Sequence, residues 1–143
     1  MLMLRLPGND LPAPQRATPG SAGLDLRACV KAPLTLLPGQ RALIPTGFAM
    51  ALPEGYEAQV RPRSGLARKT GLTMLNSPGT IDSDYRGEVA VLAVNLGQEP
   101  IVIGRGDRVA QLVIQRVPEV ELVEVTELPD SVRGEQGFGS SGS

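Results

Sequence analysis

The sequence predicts an all-β domain, and two observations carry that prediction. Glycine (17) and proline (13) are abundant, and they fall at short intervals along all 143 residues instead of collecting in one low-complexity tract. Between them lie short runs that are either β-branched and aliphatic or alternate apolar with polar, which is the texture of strands. By length the chain is one domain, large enough to bury a real core.

The elements follow in order. The opening Met-Leu-Met-Leu-Arg-Leu-Pro stretch is apolar but short, with no basic leading segment and no cleavage site, so it is read as a first strand and not as a leader. A polar loop from Pro7 to Ser21 leads into Ala22-Gly-Leu-Asp-Leu-Arg-Ala28, where Leu24 and Leu26 alternate with Asp25 and Arg27. On that local pattern the charged pair is a solvated strand face. Strands at Leu34 to Leu36, Arg41 to Ile44 and Phe48 to Leu52 are separated by turns at Pro38-Gly39 and Pro45-Thr-Gly47, and Pro53-Glu-Gly55 ends the series. Proline restricts φ and glycine frees it, as tight turns require. Tyr56 to Arg61 alternates and forms another strand.

Pro62-Arg-Ser-Gly-Leu-Ala67 changes the texture, because Ser64 can N-cap a short helical turn beginning at Gly65. A helix start beside Arg63 is a natural phosphate site, and it is equally an ordinary cap next to a surface arginine. Leu72 to Leu75 and Val89 to Val94 read as two strands of a hairpin joined through Pro78-Gly79, with Asp82 on the loop lip. Ile101 to Ile103, Val109 to Val117 and Val120 to Val125 supply the last strands. Gln111, inside an apolar run, is either a core amide satisfied by backbone or a ligand contact. The Arg105-Gly-Asp107 triplet fits a turn between strands. Pro129 to Ser143 has no periodicity and is expected to be mobile. Its Arg133 and Phe138 are unusual in such a tail and fit either a clip onto a ligand or a plain free end.

Composition narrows the chemistry. The chain has no histidine and one cysteine, so a general base must be a carboxylate, lysine or tyrosine. Asp82 and Asp84 lead by elimination, against the reading that both merely hold an Asx-turn. Cys29 alone makes neither an internal disulfide nor, without histidine, a conventional zinc site. A net charge of −1 gives no basic footprint for a nucleic-acid polymer. Of 14 cationic residues only Lys31 and Lys69 are lysines, and arginine suits bidentate contacts to a small phosphorylated ligand. No run approaches the roughly eighteen apolar residues of a membrane span. A cytoplasmic location is expected.

Five segments, taken together, resemble one family: Ala22-Gly-Leu-Asp-Leu, Pro62-Arg-Ser-Gly-Leu-Ala, Asn76 to Gly87, Gly106-Asp-Arg-Val-Ala-Gln-Leu, and Arg133-Gly to Gly137-Phe-Gly-Ser. Their residues and order are similar to the trimeric dUTP diphosphatases. The resemblance implies a distorted jelly roll of the β-clip type with one short helical turn, residues 1–128 forming the core and 129–143 a flexible lid. It implies a homotrimer with shared active sites, in which the hairpin motif of one subunit faces the first, second and fourth motifs of another and the tail of the third closes over them. The reaction implied is hydrolysis of dUTP to dUMP and pyrophosphate, removing dUTP and supplying dUMP for thymidylate synthesis.

Carried over residue by residue, Asp82 orients and deprotonates the attacking water. Arg63, Ser64, the Gly65 amide, Gln111 and Arg133 hold phosphate oxygens. Asn76, Thr80, Ile81 and the Ala90 backbone shape the uracil pocket, Tyr85 packs on the sugar, and Phe138 with Gly139 closes over the base. Mg²⁺ is the implied ion, with Asp25 touching it only through water. Two alternatives share the scaffold: a dCTP deaminase-like enzyme, and a noncatalytic trimeric nucleotide-binding module.

Overall fold

The computed structural model describes residues 1–132, 134 and 135. Their elements are β1 (Leu2–Arg5), β2 (Gln15–Arg16), β3 (Leu24–Arg27), β4 (Leu34–Leu36), β5 (Arg41–Ala51), β6 (Tyr56–Pro62), α1 (Ser64–Thr70), β7 (Leu72–Met74), β8 (Gly79–Ile81), β9 (Glu88–Asn95), β10 (Ile101–Ile103) and β11 (Arg108–Arg116). The all-β expectation with one short helix is met.

One sheet has the order β1-β5-β9-β7, a second β2-β3-β11-β6-β8, and β10 pairs with β4. Both larger sheets feed one apolar cluster: Ile44, Met50, Met74 and Val91 from the first, Leu26, Ala58, Val60 and Leu112 from the second. This is a sandwich whose core is the set of inward residues of each strand. Strand alternation decides the faces. On β6, Ala58 and Val60 point inward, while Glu57, Gln59 and Arg61 form an outward ladder in which Arg61 donates to the Gln59 carbonyl and the Gln59 amide to Glu57. Asn95, fully buried at the end of β9, donates to the carbonyls of Leu36 and Glu99 and accepts from the Gly97 amide, so the strand's polar terminus leaves nothing unpaired.

Three expectations need correction. Pro45-Thr-Gly47 is not a turn between two strands. β5 runs through it unbroken, and its register against β9 slips between Pro45 and Ala49. The signal is the same, since Gly47 has a left-handed φ of 72°, but pairing with β1 and β9 turns it into a bulge. Second, Leu72 to Leu75 and Val89 to Val94 do pair, as β7 with β9, yet the intervening stretch is more than a loop. Gly79–Ile81 forms β8, which crosses to the other sheet and pairs with β6 because Ile81 finds its burial there. Third, Val120 to Val125 forms no strand: the last one ends at Arg116, and Val120 and Leu122 are 70% and 93% exposed. An alternating pattern makes a strand only against a sheet edge, and this segment meets none in its own chain. β2, unforeseen within the polar loop, adds two residues to the edge of β3.

Candidate active site

Two cavities hold most of the described residues singled out from the sequence, and Asp84, the second carboxylate candidate, lines neither. The first, about 350 Å³, is lined by Asn76, Thr80, Ile81, Asp82, Tyr85 and Ala90 together with Gly79 and Glu88. β8 sets its floor. Ile81 is buried, so strand alternation turns Thr80 and Asp82 outward. The turn that follows is held by groups other than the Asp82 carboxylate: the Tyr85 amide donates to the Asp82 carbonyl (3.2 Å), and the Arg86 guanidinium to the carbonyls of Ser83 (2.6 Å) and Tyr85 (2.8 Å). Asp82 enters none of the ion pairs among the described residues. The Asx-turn reading of this residue therefore gives way to an exposed carboxylate at a cavity mouth. Tyr85 is fixed at the hydroxyl end of its ring. Its hydroxyl donates to the Glu88 carbonyl at 3.0 Å, and a Cβ on Gly87 would sit 2.3 Å from that oxygen, so only glycine lets the phenol lie there.

The second cavity, about 400 Å³, is lined by Asp25, Arg63, Ser64, Gly65, Lys69 and Gln111 with Gly23. β3 and β11 place Asp25 directly opposite Gln111. The charged face of β3 is not merely solvated. Asp25, with a side chain 16% exposed, accepts Arg63 Nε on one oxygen and Arg108 Nη1 on the other, each at 3.2 Å. Arg63 also donates to the Arg108 carbonyl (3.2 Å). The Gln111 amide donates to the Pro62 carbonyl at 3.0 Å, as the backbone-satisfied reading expects, and the side chain also lines the cavity. Its carbonyl oxygen lies where a Cβ on Gly23 would come within 2.3 Å, which is the reason for glycine in the Ala22-Gly-Leu-Asp motif.

The helix start differs from expectation. Arg63, not Ser64, is the N-cap, with extended angles of −90° and 119° and no side-chain capping bond. Its ion pair with Asp25 holds it in line with β6, and the helix begins at Ser64, one residue earlier than expected. The first intrahelical bond runs from the Ala67 amide to the Arg63 carbonyl, which leaves the Ser64, Gly65 and Leu66 amides ahead of the ladder. A Cβ on Gly65 would meet nothing within 4 Å among the described residues, so the space above this helix start is open to them. Arg108 and Lys69 join this site without having been singled out. Lys69 follows Gly65 by four residues and so shares its helix face, a signal present in the spacing; Arg108 was visible only as a member of its motif.

The Arg105-Gly-Asp107 triplet is structural. Arg105 ties the turn before β11 to the N-terminal loop through Asp10 and the Gly8 carbonyl, and to the segment after β3 through the Cys29 sulfur. The Arg105 hydrogen bond holds the Asp10 carboxyl below its ordinary value of 3.8.

The two cavities share no lining residue, and the strand pairing shows why. Ile81 sits opposite Ala58, whereas Arg63 follows the other end of β6. From Ala58 to Arg63 the chain advances about 17 Å at the roughly 3.4 Å per residue of a strand. Asp82 and Arg63 of one chain therefore face different sites. Arg133, Phe138 and Gly139 lie outside the described residues.

Comparison with known proteins gives three concordant findings. A family model described as dUTPase matches residues 9–142. The deoxyuridine 5'-triphosphate nucleotidohydrolase of Rhizobium johnstonii is 61% identical over 137 residues, covering 94% of this chain and 86% of the relative. That of Caulobacter vibrioides is 59% identical over 141 residues, covering 96% and 91%. Among solved structures, a variant dUTPase of Staphylococcus bacteriophage 80alpha with dUpNHpp superposes with a TM-score of 0.88 at 29% identity, covering 99% of this chain and 98% of the other. A variant dUTPase from phage phi11 of S. aureus, described for its coordination of a structural Mg(II) ion, gives a TM-score of 0.78 at 26% identity over 88% and 96%.

Proposed function

The chain belongs to the dUTPase family, and from that premise we propose that it hydrolyses dUTP to dUMP and pyrophosphate at a site assembled between copies of itself. The observation that carries the shared site is the separation just described: the exposed carboxylate and the arginine cluster face different cavities of one chain. A homotrimer with three such sites brings the Asp82 cavity of one subunit to the Asp25–Arg63–Gln111 cavity of another. Apolar side chains more than half exposed, among them Leu2, Leu4, Leu43 and Leu122, supply surface for such association.

Asp82 orients a water in line with the α-phosphorus and takes its proton. The new bond forms from that water oxygen to the α-phosphorus as the bond to the oxygen bridging the α- and β-phosphates breaks, and pyrophosphate leaves with that electron pair. A free aspartate is a weak base near neutrality, with a pKa of about 4, so positioning and charge neutralisation supply most of the acceleration. Arg63, Ser64, the Gly65 amide and Gln111 are donors around the triphosphate, with Lys69 and Arg108 beside them. Arg63 exchanges its contact with Asp25 for phosphate oxygens.

The residues fit a magnesium ion held chiefly by the substrate's phosphates. Among the described residues no three carboxylate, histidine or cysteine groups cluster into a cage, and Asp25, with both oxygens on guanidiniums, reaches such an ion through water. When bound, the ion neutralises phosphate charge and fixes the triphosphate's conformation.

Uracil selection belongs to the first cavity. The Asn76 amide and the backbone of β8 and β9 match an N3–H donor between two carbonyls. Cytosine reverses that pattern and leaves buried groups unpaired, a discrimination on the order of 10⁴-fold. The narrow pocket excludes the thymine methyl, and Tyr85 at the mouth leaves no room for a 2′-hydroxyl. Residues 129–143 serve as the lid, Phe138 stacking on the base, Gly139 following it and Arg133 reaching phosphate. The test is pyrophosphate release from dUTP, dCTP, dTTP and UTP with Mg²⁺, with ammonia followed in the same samples. Turnover confined to dUTP is expected. Ammonia from dCTP would move the chain to the deaminase branch, and silence on every nucleotide would leave a binding module.

A further inference from the structure

The bulge in β5 and the lip of the first cavity are one connected structure, and Glu88 joins them. Opposite Val89, β5 inserts Thr46, Gly47 and Phe48 between its paired residues Pro45 and Ala49. Every polar group of that insertion that the hydrogen bonds reach is tied down. The Thr46 hydroxyl donates to the Val89 carbonyl, and the Gly47 carbonyl accepts from the Leu6 amide (2.9 Å) and from the buried side-chain amide of Asn9 (2.8 Å). The Gly47 amide donates to Glu88 Oε1 at 2.7 Å. A Cβ on Gly47 would stand 2.5 Å from Asn9 Nδ2, so the bulge and the Asn9 loop interlock.

Glu88 is the first residue of β9, and it turns this rigid anchor toward the cavity. Its carboxylate is held by the bulge, and its own carbonyl receives the Tyr85 hydroxyl at 3.0 Å. Nothing else among the described residues bonds that hydroxyl. The phenol's position at the mouth is therefore set by where the Glu88 backbone lies, which the Glu88 side chain fixes. We propose that Glu88 is a positioning residue for sugar discrimination, acting through Tyr85 and through no contact of its own with the reacting atoms. This rests on the dUTP reading above and on Tyr85 as the residue that crowds a 2′-hydroxyl.

Glu88→Ala removes the acceptor for the Gly47 amide, whereas Glu88→Gln keeps a carbonyl oxygen in the same place. The variants are compared in a Tyr56→Phe background, where Tyr85 is the only tyrosine of a chain without tryptophan. Two quantities are read: the ratio of kcat/KM for UTP to that for dUTP, and acrylamide quenching of Tyr85 fluorescence. Glu88→Ala is expected to raise the ratio about tenfold and increase quenching. Glu88→Gln should restore both. A merely structural role would lower Tm and both kcat/KM values together and leave the ratio and the quenching unmoved, which would overturn the proposal. Where the alanine variant does not fold, Glu88→Asp, a methylene short of the Gly47 amide, repeats the comparison. Quenching needs no turnover, so a parent enzyme inactive on dUTP would sink the functional reading while the positional one was still decided.

Discussion

The two cavities are built on opposite principles. The Asp82 cavity is made by backbone: a short strand, a turn closed by main-chain acceptors, a phenol lying on a glycine, and walls from β9. Of its two carboxylates, Glu88 is tied to the Gly47 amide and Asp82 is left free among the described residues. The Arg63 cavity is made by side-chain charge, with two guanidiniums gathered on Asp25 and an amide wedged between Gly23 and Pro62. The first arrangement selects shape and hydrogen-bond pattern, because backbone does not move to suit a wrong ligand. The second suits an exchange of partners, because in the proposed reaction a guanidinium held by a carboxylate would pass to phosphate without becoming unpaired at any stage. Selection and charge handling are thus kept apart on the chain, and the proposed assembly is what would join them.

The sharpest way to break that division is to disable each half separately. Asp82→Asn is expected to lower kcat on dUTP by about 10³-fold or more while binding of a non-hydrolysable analogue stays within a few-fold, the signature of a general base and not of a binding group. Near-normal kcat would remove Asp82 from its role. Arg63→Ala should be nearly inactive as well. Co-assembly of these two dead variants then tests whether the halves come from different chains: random mixing leaves about one site in four with an intact Asp82 and an intact Arg63, so roughly a quarter of the activity should return. No recovery would place both halves of each site on one chain.

Smaller effects sharpen the comparison. Tyr85→Ala should admit UTP, reducing discrimination between dUTP and UTP by about 10- to 100-fold with little change in phosphate affinity. Unaltered sugar preference would take Tyr85 out of that role. In the charged half, Gln111→Ala strands the Pro62 carbonyl and should cost about 1 kcal/mol in thermal or denaturant unfolding. The smallest effect belongs to Asp10, remote from both halves. Arg105 lowers its folded pKa below the unfolded 3.8, so its contribution is present above the unfolded value and fades as pH falls through the folded one. Asp10→Asn should therefore lower Tm slightly near neutrality, by an amount that disappears in acid, and leave kcat untouched at both halves.

Much of this was legible in the residues. Alternation along Leu24–Arg27 and Tyr56 to Arg61 marked the strands, and six of the seven hairpin residues singled out line one cavity, Asp84 being the exception. Local misreadings share a cause. Pro45-Thr-Gly47 carries a turn signal that also suits a bulge, and only the partners on either side of β5 choose between them. Val120 to Val125 carries a strand pattern that needs an edge to pair with. Arg108 was overlooked because an arginine opening a strand looks like any solvated charge until Asp25 is brought across from β3.

By itself the sequence determined the strand content, the absence of imidazole from the chemistry, the arginine-weighted cation set and the five ordered motifs. These are properties of residue type and spacing, which short-range sterics and composition make local. Tertiary structure decided that Asp25 is a paired acceptor, that Ser64 is the first helical residue, that Gly23 and Gly47 are glycine for contacts made by distant residues, and that Asp82 and Arg63 face apart. Those facts depend on the register of β6 between β8 and β11. Register is fixed when the inward side chains of both sheets close on one core, and no window of the chain contains that information.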